Sequence, residues 1–144
     1  MGLGASRDAD VLDLLLQHAA AEQPARVRAA AASGLGQLAD EVSSVRLQAV
    51  DCLVELARCG TFRVELAAMH ALGRAKDPRA LGVLTDIHRS ALDGRTRRTA
   101  YEAMAQVRTG RGSEEHLASV RSAVEKLEEQ NAALRARIEK LEGP

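Results

Sequence analysis

One ten-residue pattern occurs three times in the chain and constrains its fold more than any other feature. Residues 27–36 read Val-Arg-Ala-Ala-Ala-Ala-Ser-Gly-Leu-Gly, and residues 64–73 repeat the valine, two alanines and the Leu-Gly ending 37 positions later. A weaker copy follows after 32 more positions, at residues 96–105. Helix pairs that recur every 30–45 residues or so are typical of α-solenoids, where each pair buries its apolar face by stacking on the next. The sequence therefore predicts a short solenoid.

Apolar residues at helical spacing divide the first 108 residues into six helices. Their stripes consist mainly of Leu, Val and Ala, because the chain has one Tyr, one Phe and no Trp. Small residues let helix axes approach to about 8–10 Å, and such close packing explains Gly34 and Gly36 inside the second helix. The expected helices cover approximately residues 8–21, 24–38, 42–58, 61–75, 78–92 and 95–108.

Local signals mark where these helices begin and end. Gly60 is expected to end the third helix, and Thr61 to begin the fourth as its N-cap. Residues 77–78 (Asp-Pro) break the chain before the fifth helix, because proline suits a first helical turn. Residues 93–94 (Asp-Gly) form a turn before the sixth helix.

The repeated pattern resembles HEAT-like repeats. In that family Val-Arg lies in the second helix of a pair, as at residues 27–28, and Asp-Pro marks the junction to the next pair, as at residues 77–81 (Asp-Pro-Arg-Ala-Leu). The resemblance covers about residues 8–108 and implies an all-α fold, an α-solenoid of about three HEAT-like helix pairs. The third copy departs from the pattern, since Thr96 and Ala105 replace the valine and the glycine.

A narrower resemblance lies at the end of the repeats. Residues 93–98 (Asp-Gly-Arg-Thr-Arg-Arg) through 107–108 (Val-Arg), which run into a charged helix, are similar to the C-terminal region of some bacterial zinc aminopeptidases of the aminopeptidase N type. Those enzymes carry a helical-repeat domain after the catalytic domain, so the resemblance implies a detached C-terminal piece. No catalytic residue is carried over, because the chain lacks the His-Glu-x-x-His zinc motif.

The C-terminal segment carries a different repeat, with apolar residues alternately three and four positions apart. After a flexible linker at residues 109–112, four heptads extend over residues 113–142. All but one of the a and d positions are apolar, which predicts a leucine-zipper-like coiled coil. Positions a are Leu117, Val124, Asn131 and Ile138, and positions d are Val120, Leu127, Leu134 and Leu141.

The residue types at these positions favour a parallel homodimer. β-branched residues at a, as at Val124 and Ile138, together with leucine at d favour two parallel strands. Asn131 at a finds an amide partner in its twin when the pair is parallel and in register, and Arg137 at g reaches Glu142 at e of the other chain. The alternative is a lone amphipathic helix that folds back on the repeats, although such a helix usually has a wider apolar face.

Composition argues against several classes of function. The 20 basic and 20 acidic residues give zero net charge, whereas dedicated nucleic-acid and membrane binders are usually basic. No apolar run approaches the roughly 18–20 residues of a membrane span and no signal-peptide pattern opens the chain, so a cytoplasmic protein is expected. Cys52 and Cys59 lie two helical turns apart, too far for a disulfide within one helix, and are expected to be reduced, half-buried thiols.

No constellation of residues predicts catalysis, a metal site or a cofactor. The four histidines are scattered, and His70 and His88 lie near apolar stripes, as is typical of core or groove histidines. One cluster of arginines is a candidate basic surface, but nearby acidic residues and the lack of interleaved aromatic residues favour an ordinary solvated face. The cluster comprises Arg89, Arg95, Arg97, Arg98 and Arg108.

Together these patterns predict a non-enzymatic module for protein–protein interaction and dimerisation. The solenoid would present a surface to a protein partner, and the C-terminal helix would pair with a second copy. Two alternatives remain open: the detached C-terminal domain of a zinc aminopeptidase, and a nucleic-acid-binding solenoid. The main interpretation requires no cofactor, metal ion or membrane.

Overall fold

The computed structural model describes residues 2–142, with side chains for residues 6–110 and 117–142. Within residues 2–142 the chain is helical and contains no strand. Its helices are α1 (Gly2–His18), α2 (Ala25–Glu41), α3 (Arg46–Leu56), α4 (Phe62–Ala75), α5 (Leu81–Ser90), α6 (Gly94–Thr109) and α7 (Arg111–Glu142). Short 3-10 turns at Ser43–Val45 and Pro78–Ala80 lead into α3 and α5.

The chain divides between Gly112 and Ser113 into two compact units. In the first unit, α2, α4 and α6 pack one against the next and form a continuous layer. Helices α1, α3 and α5 each pack against the even-numbered helix that follows, so three helix pairs are stacked. The predicted all-α solenoid of about three HEAT-like pairs is confirmed.

The solenoid core is aliphatic, because both aromatic side chains, Phe62 and Tyr101, are exposed. Between the larger side chains the core is filled with alanine, which allows the helix axes to approach closely. The largest fully buried side chains include Leu35, Leu53, Met69, Leu72 and Leu84.

Two glycines at equivalent repeat positions set the spacing of the stacked helices. A Cβ added to Gly36 in α2 would lie 2.7 Å from the Cα of Ala71 in α4, and a Cβ added to Gly73 in α4 would lie 3.0 Å from the Cα of Ala103 in α6. The close packing predicted at Gly36 is therefore confirmed. The third copy of the pattern has Ala105 at this position, which is exposed because α6 belongs to the last pair. The departure from the pattern marks the end of the stack.

Aspartate side chains cap the two helical segments that the sequence predicts to begin with Asp-Pro and Asp-Gly. Asp77 Oδ1 accepts a hydrogen bond from the Arg79 N–H at 2.9 Å, and Asp93 Oδ2 accepts one from the Thr96 N–H at 2.9 Å. Asp77 also accepts hydrogen bonds from the Arg79 guanidinium, and its side chain is 8% exposed. These bonds from Arg79 hold the pKa of Asp77 below its ordinary value.

The turn between α3 and α4 differs from the prediction. Gly60 has φ 89°, a left-handed conformation that glycine adopts without strain, but α3 already ends at Leu56. Thr61 precedes α4 with extended backbone, and its side chain makes no cap hydrogen bond. The Glu65 carboxylate instead reaches back to the residue before Thr61 and accepts a hydrogen bond from the Gly60 N–H at 3.3 Å.

The break between α6 and α7 is shorter than the linker expected at residues 109–112. Helix α6 extends to Thr109, whose hydroxyl donates a hydrogen bond to the Ala105 carbonyl at 2.9 Å, and α7 begins at Arg111. Gly110 alone lies between the two helices. A Cβ there would lie 3.0 Å from the Gln106 carbonyl oxygen, which is why this close turn favours glycine.

Replacement of Gly36 by alanine tests the close approach of α2 and α4. The added methyl group would overlap backbone atoms of Ala71, so we expect the free energy of unfolding to fall by about 1–3 kcal/mol in chemical denaturation. Gly82→Ala is the matched control, because no atom lies within 4 Å of a Cβ added at that exposed position inside α5. The control should gain about 0.5–1 kcal/mol. A Gly36→Ala variant as stable as the unmodified chain would contradict the packing.

Replacement of Asp77 by asparagine tests the charged cap. Because folding lowers the pKa of Asp77, its carboxylate stabilises the fold above the ordinary aspartate pKa of about 4, and this contribution is lost as the pH falls through the lower folded-state pKa. At pH 7 we expect Asp77→Asn to lose about 1 kcal/mol, since Arg79 is partly exposed. The difference in unfolding free energy between the two proteins should disappear as the pH is lowered. A difference that stays constant with pH would contradict a charged cap at Asp77. Asp93→Asn, at an exposed cap, should lose less.

Candidate interaction surfaces

Helix α7 places the predicted coiled-coil positions along one narrow stripe, here called the seam. The helix has 32 residues and is therefore about 48 Å long. All of its described side chains, residues 117–142, are exposed in the single chain. Its seven apolar residues are between 46% and 85% exposed. The full seam comprises Leu117, Val120, Val124, Leu127, Asn131, Leu134, Ile138 and Leu141.

Asn131 interrupts the seam between Leu127 and Leu134, and its amide is exposed. Arg137 and Glu142 are also exposed. Five residues along a helix correspond to a rotation of about 140°, so these two side chains flank opposite edges of the seam. This arrangement suits an ion pair between neighbouring helices rather than one within a helix.

The solenoid distributes the predicted arginine cluster over several surfaces. Arg95 and Arg98 share a face of α6 near its beginning, whereas Arg108 lies in its last turn, about 20 Å along the helix from Arg95. Arg97 points away from Arg95 by helical rotation, and Arg89 lies in the last turn of α5. The five arginines therefore do not form one continuous basic surface.

A more regular arrangement of arginines was missed in the sequence. Arg26, Arg63 and Arg95 are each the second residue of α2, α4 and α6, and all three are exposed. The repeat alignment contains the signal, because each arginine directly precedes the first residue of one copy of the ten-residue pattern. A search for clustered charges along the sequence does not find them, since they are more than 30 positions apart.

Several cavities lie on the solenoid. The largest described one, about 680 Å³, is lined mainly by apolar residues of α1 and α2, including Leu14, Leu15 and Val27. A second, about 420 Å³, borders the exposed ion pair in which Arg58 donates to Asp86 at 2.9 Å. A third is smaller, at about 300 Å³, and is lined by Phe62, Arg63, Leu66 and Arg95. None of the three brings together a set of catalytic groups.

The reactive side chains of the solenoid have structural surroundings. Cys52 and Cys59 are free and half-buried, as predicted, and burial raises the pKa of the Cys52 thiol, which keeps it in its unreactive protonated form. His70 is exposed, so it does not lie in the core. His88 is half-buried, hydrogen-bonds the Arg97 carbonyl through Nδ1 at 3.2 Å and lies 5.8 Å from the Tyr101 ring.

Two features associated with other functions are absent from the described residues. No group of three or more metal-binding side chains comes together there. Nor does any described helix combine the length and apolarity that crossing a membrane requires.

Comparison with known proteins identifies the solenoid. A family model for HEAT repeats matches residues 12–105, which is well over half of the chain and includes most of α1 to α6. No curated protein matches the chain, so the resemblance to zinc aminopeptidases has no support beyond the residues that suggested it. The match coincides with three stacked helix pairs and with glycines at equivalent positions of two of them. The chain belongs to the HEAT-repeat family.

Proposed function

We propose that this chain is a non-catalytic module that forms a parallel homodimer through α7 and presents its solenoid to a protein partner. HEAT repeats commonly serve as protein-interaction scaffolds and are typically non-enzymatic. The observation that carries the proposal is the exposed seam of α7, whose seven apolar side chains face water at heptad spacing in the single chain. A second copy of the same helix is the partner that matches this spacing along the whole seam.

The energetics of the seam favour a reversible dimer. Six of the seven apolar seam residues are 46–59% exposed and Leu141 is 85% exposed, and burying this surface contributes about 1 kcal/mol for each residue. Seven such residues on each of two chains contribute about 14 kcal/mol, against a cost of association of about 4–15 kcal/mol. Micromolar dissociation requires a net gain of about 8 kcal/mol, which lies within this range, so we expect a reversible dimer rather than an obligate one.

Asn131 supports the parallel arrangement. In a parallel, in-register pair the two Asn131 amides meet and hydrogen-bond each other. An antiparallel or shifted pair would bury each amide against apolar side chains, at about 1–3 kcal/mol for every unsatisfied group. Arg137 and Glu142 add a weaker preference, since an exposed ion pair between the two chains contributes about 0.5 kcal/mol.

Charge introduced into the seam should abolish the dimer. Leu134→Glu places a carboxylate at a d position, so light scattering at tens of micromolar should give the mass of one chain, 15.4 kDa, instead of twice that mass. Ala136→Glu is the matched control, because position 136 lies two residues away on the outer face of α7. The control should remain dimeric. A single-chain mass for the unmodified protein would refute dimerisation and would favour a fold-back role for α7.

Replacement of Asn131 by leucine should stabilise the assembly and broaden its stoichiometry. The substitution replaces the buried amide that favours a two-helix coiled coil with an apolar side chain. We therefore expect a higher melting temperature, and additional trimers or tetramers in sedimentation equilibrium. Ala132→Leu, on the outer face of α7, is the control and should remain dimeric. An Asn131→Leu protein that is less stable and strictly dimeric would show that Asn131 lies elsewhere than in the seam.

A further inference from the structure

The stacked layer of the solenoid carries one arginine at the same place in every repeat. Arg26, Arg63 and Arg95 each occupy the second position of α2, α4 and α6, and these three helices pack in that order. Packed helices lie about 10 Å apart, so the three arginine positions follow one another at intervals of about 10 Å along one edge of the layer. We call these three residues the arginine row.

Two members of the row have no ion-pair partner among the described residues, because no carboxylate lies within ion-pair distance of Arg26 or Arg63. Asp93 lies close to Arg95 and offsets part of its charge, while its carboxylate accepts hydrogen bonds from the Thr96 N–H and hydroxyl. The N-termini of the three helices lie at the same edge, and their helix dipoles add partial positive charge there.

An apolar site lies between two members of the row. Phe62 is the only phenylalanine of the chain, and 48% of it is exposed. The Arg95 guanidinium carbon lies 5.9 Å from the centre of its ring. Phe62, Arg63, Leu66 and Arg95 together line the cavity of about 300 Å³. This edge of the solenoid therefore combines spaced positive charges with a small apolar recess.

We propose that the arginine row binds an extended acidic segment of a protein partner, with carboxylates at every third residue and an apolar side chain between them. A chain in the polyproline II conformation has three residues per turn and rises about 3.1 Å per residue, so every third side chain points the same way at intervals of about 9 Å, close to the spacing of the helices. The recess at Phe62 accepts the apolar side chain of such a segment, whereas a nucleic-acid backbone offers no apolar group at that pitch. This inference specifies the partner in the solenoid half of the proposed function and does not depend on dimerisation.

Fluorescence anisotropy with a labelled peptide tests the proposal on the full chain. The probe is Glu-Thr-Val-Glu-Thr-Val-Glu, and the control peptide has glutamine in place of each glutamate. At low salt we expect saturable binding of the acidic peptide and at least tenfold weaker binding of the control. Equal binding of the two peptides, or no binding of either, would overturn the proposal.

Substitutions locate the site. The double change Arg63→Gln and Arg95→Gln should weaken binding of the acidic peptide at least tenfold, and Phe62→Ala at an exposed position should weaken it about threefold. Arg74→Gln is the matched control, since Arg74 is exposed on the last turn of α4, and it should change affinity less than twofold. Equal losses in the double variant and in the control would place binding elsewhere. Circular dichroism checks that each variant keeps its helical content.

Two further measurements separate the alternatives. A 20-base-pair DNA duplex that bound more tightly than the acidic peptide, with the same loss in the double variant, would assign the arginine row to nucleic acid and overturn the proposal. The Leu134→Glu chain should bind the peptide with unchanged affinity, because the row lies within the solenoid. Peptide binding and dimerisation can therefore fail independently.

Discussion

The structure depends on how closely its stacked helices approach one another. Where α2 meets α4 and α4 meets α6, a glycine faces the backbone of an alanine, and a Cβ added to the glycine would lie within 3.0 Å of the alanine Cα. This contact permits a core of leucine, valine and alanine with its aromatic residues outside, and it keeps the arginines of successive repeats in a regular row. At the last pair the same position is an exposed alanine, Ala105, because α6 is the last helix of the stacked layer.

Much of the fold follows from local sequence patterns. Helical periodicity, the Asp-Pro and Asp-Gly breaks and the repeated pattern are short-range signals, and each predicts structure within a few residues of itself. The turn at Gly60 and Thr61 was predicted less well, since α3 already ends at Leu56 and the Thr61 side chain makes no cap hydrogen bond. The end of α6 also differs slightly from the prediction, since the helix continues to Thr109, whose hydroxyl donates a hydrogen bond to the Ala105 carbonyl.

Surface features formed by stacking are harder to predict than helices. The arginine row joins residues more than 30 positions apart, so it becomes visible after the repeats are superimposed in space. The arginines at positions 89–108 are clustered in the sequence. In the structure, helical rotation and the length of α6 place their side chains apart. The seam of α7 is the opposite case, since its positions lie within one helix and its heptad spacing is directly readable.

The two units differ in how they shield their apolar side chains from water. The solenoid buries its core within one chain, whereas α7 leaves a complete heptad seam exposed. The most direct test is the distance between nitroxide labels attached at residue 140, with Lys140 replaced by cysteine and both native cysteines by alanine, in pulsed electron paramagnetic resonance. A parallel, in-register dimer predicts one separation of about 20 Å between the two chains. A separation beyond about 30 Å, or the absence of any measurable distance between labels on different chains, would contradict the parallel dimer.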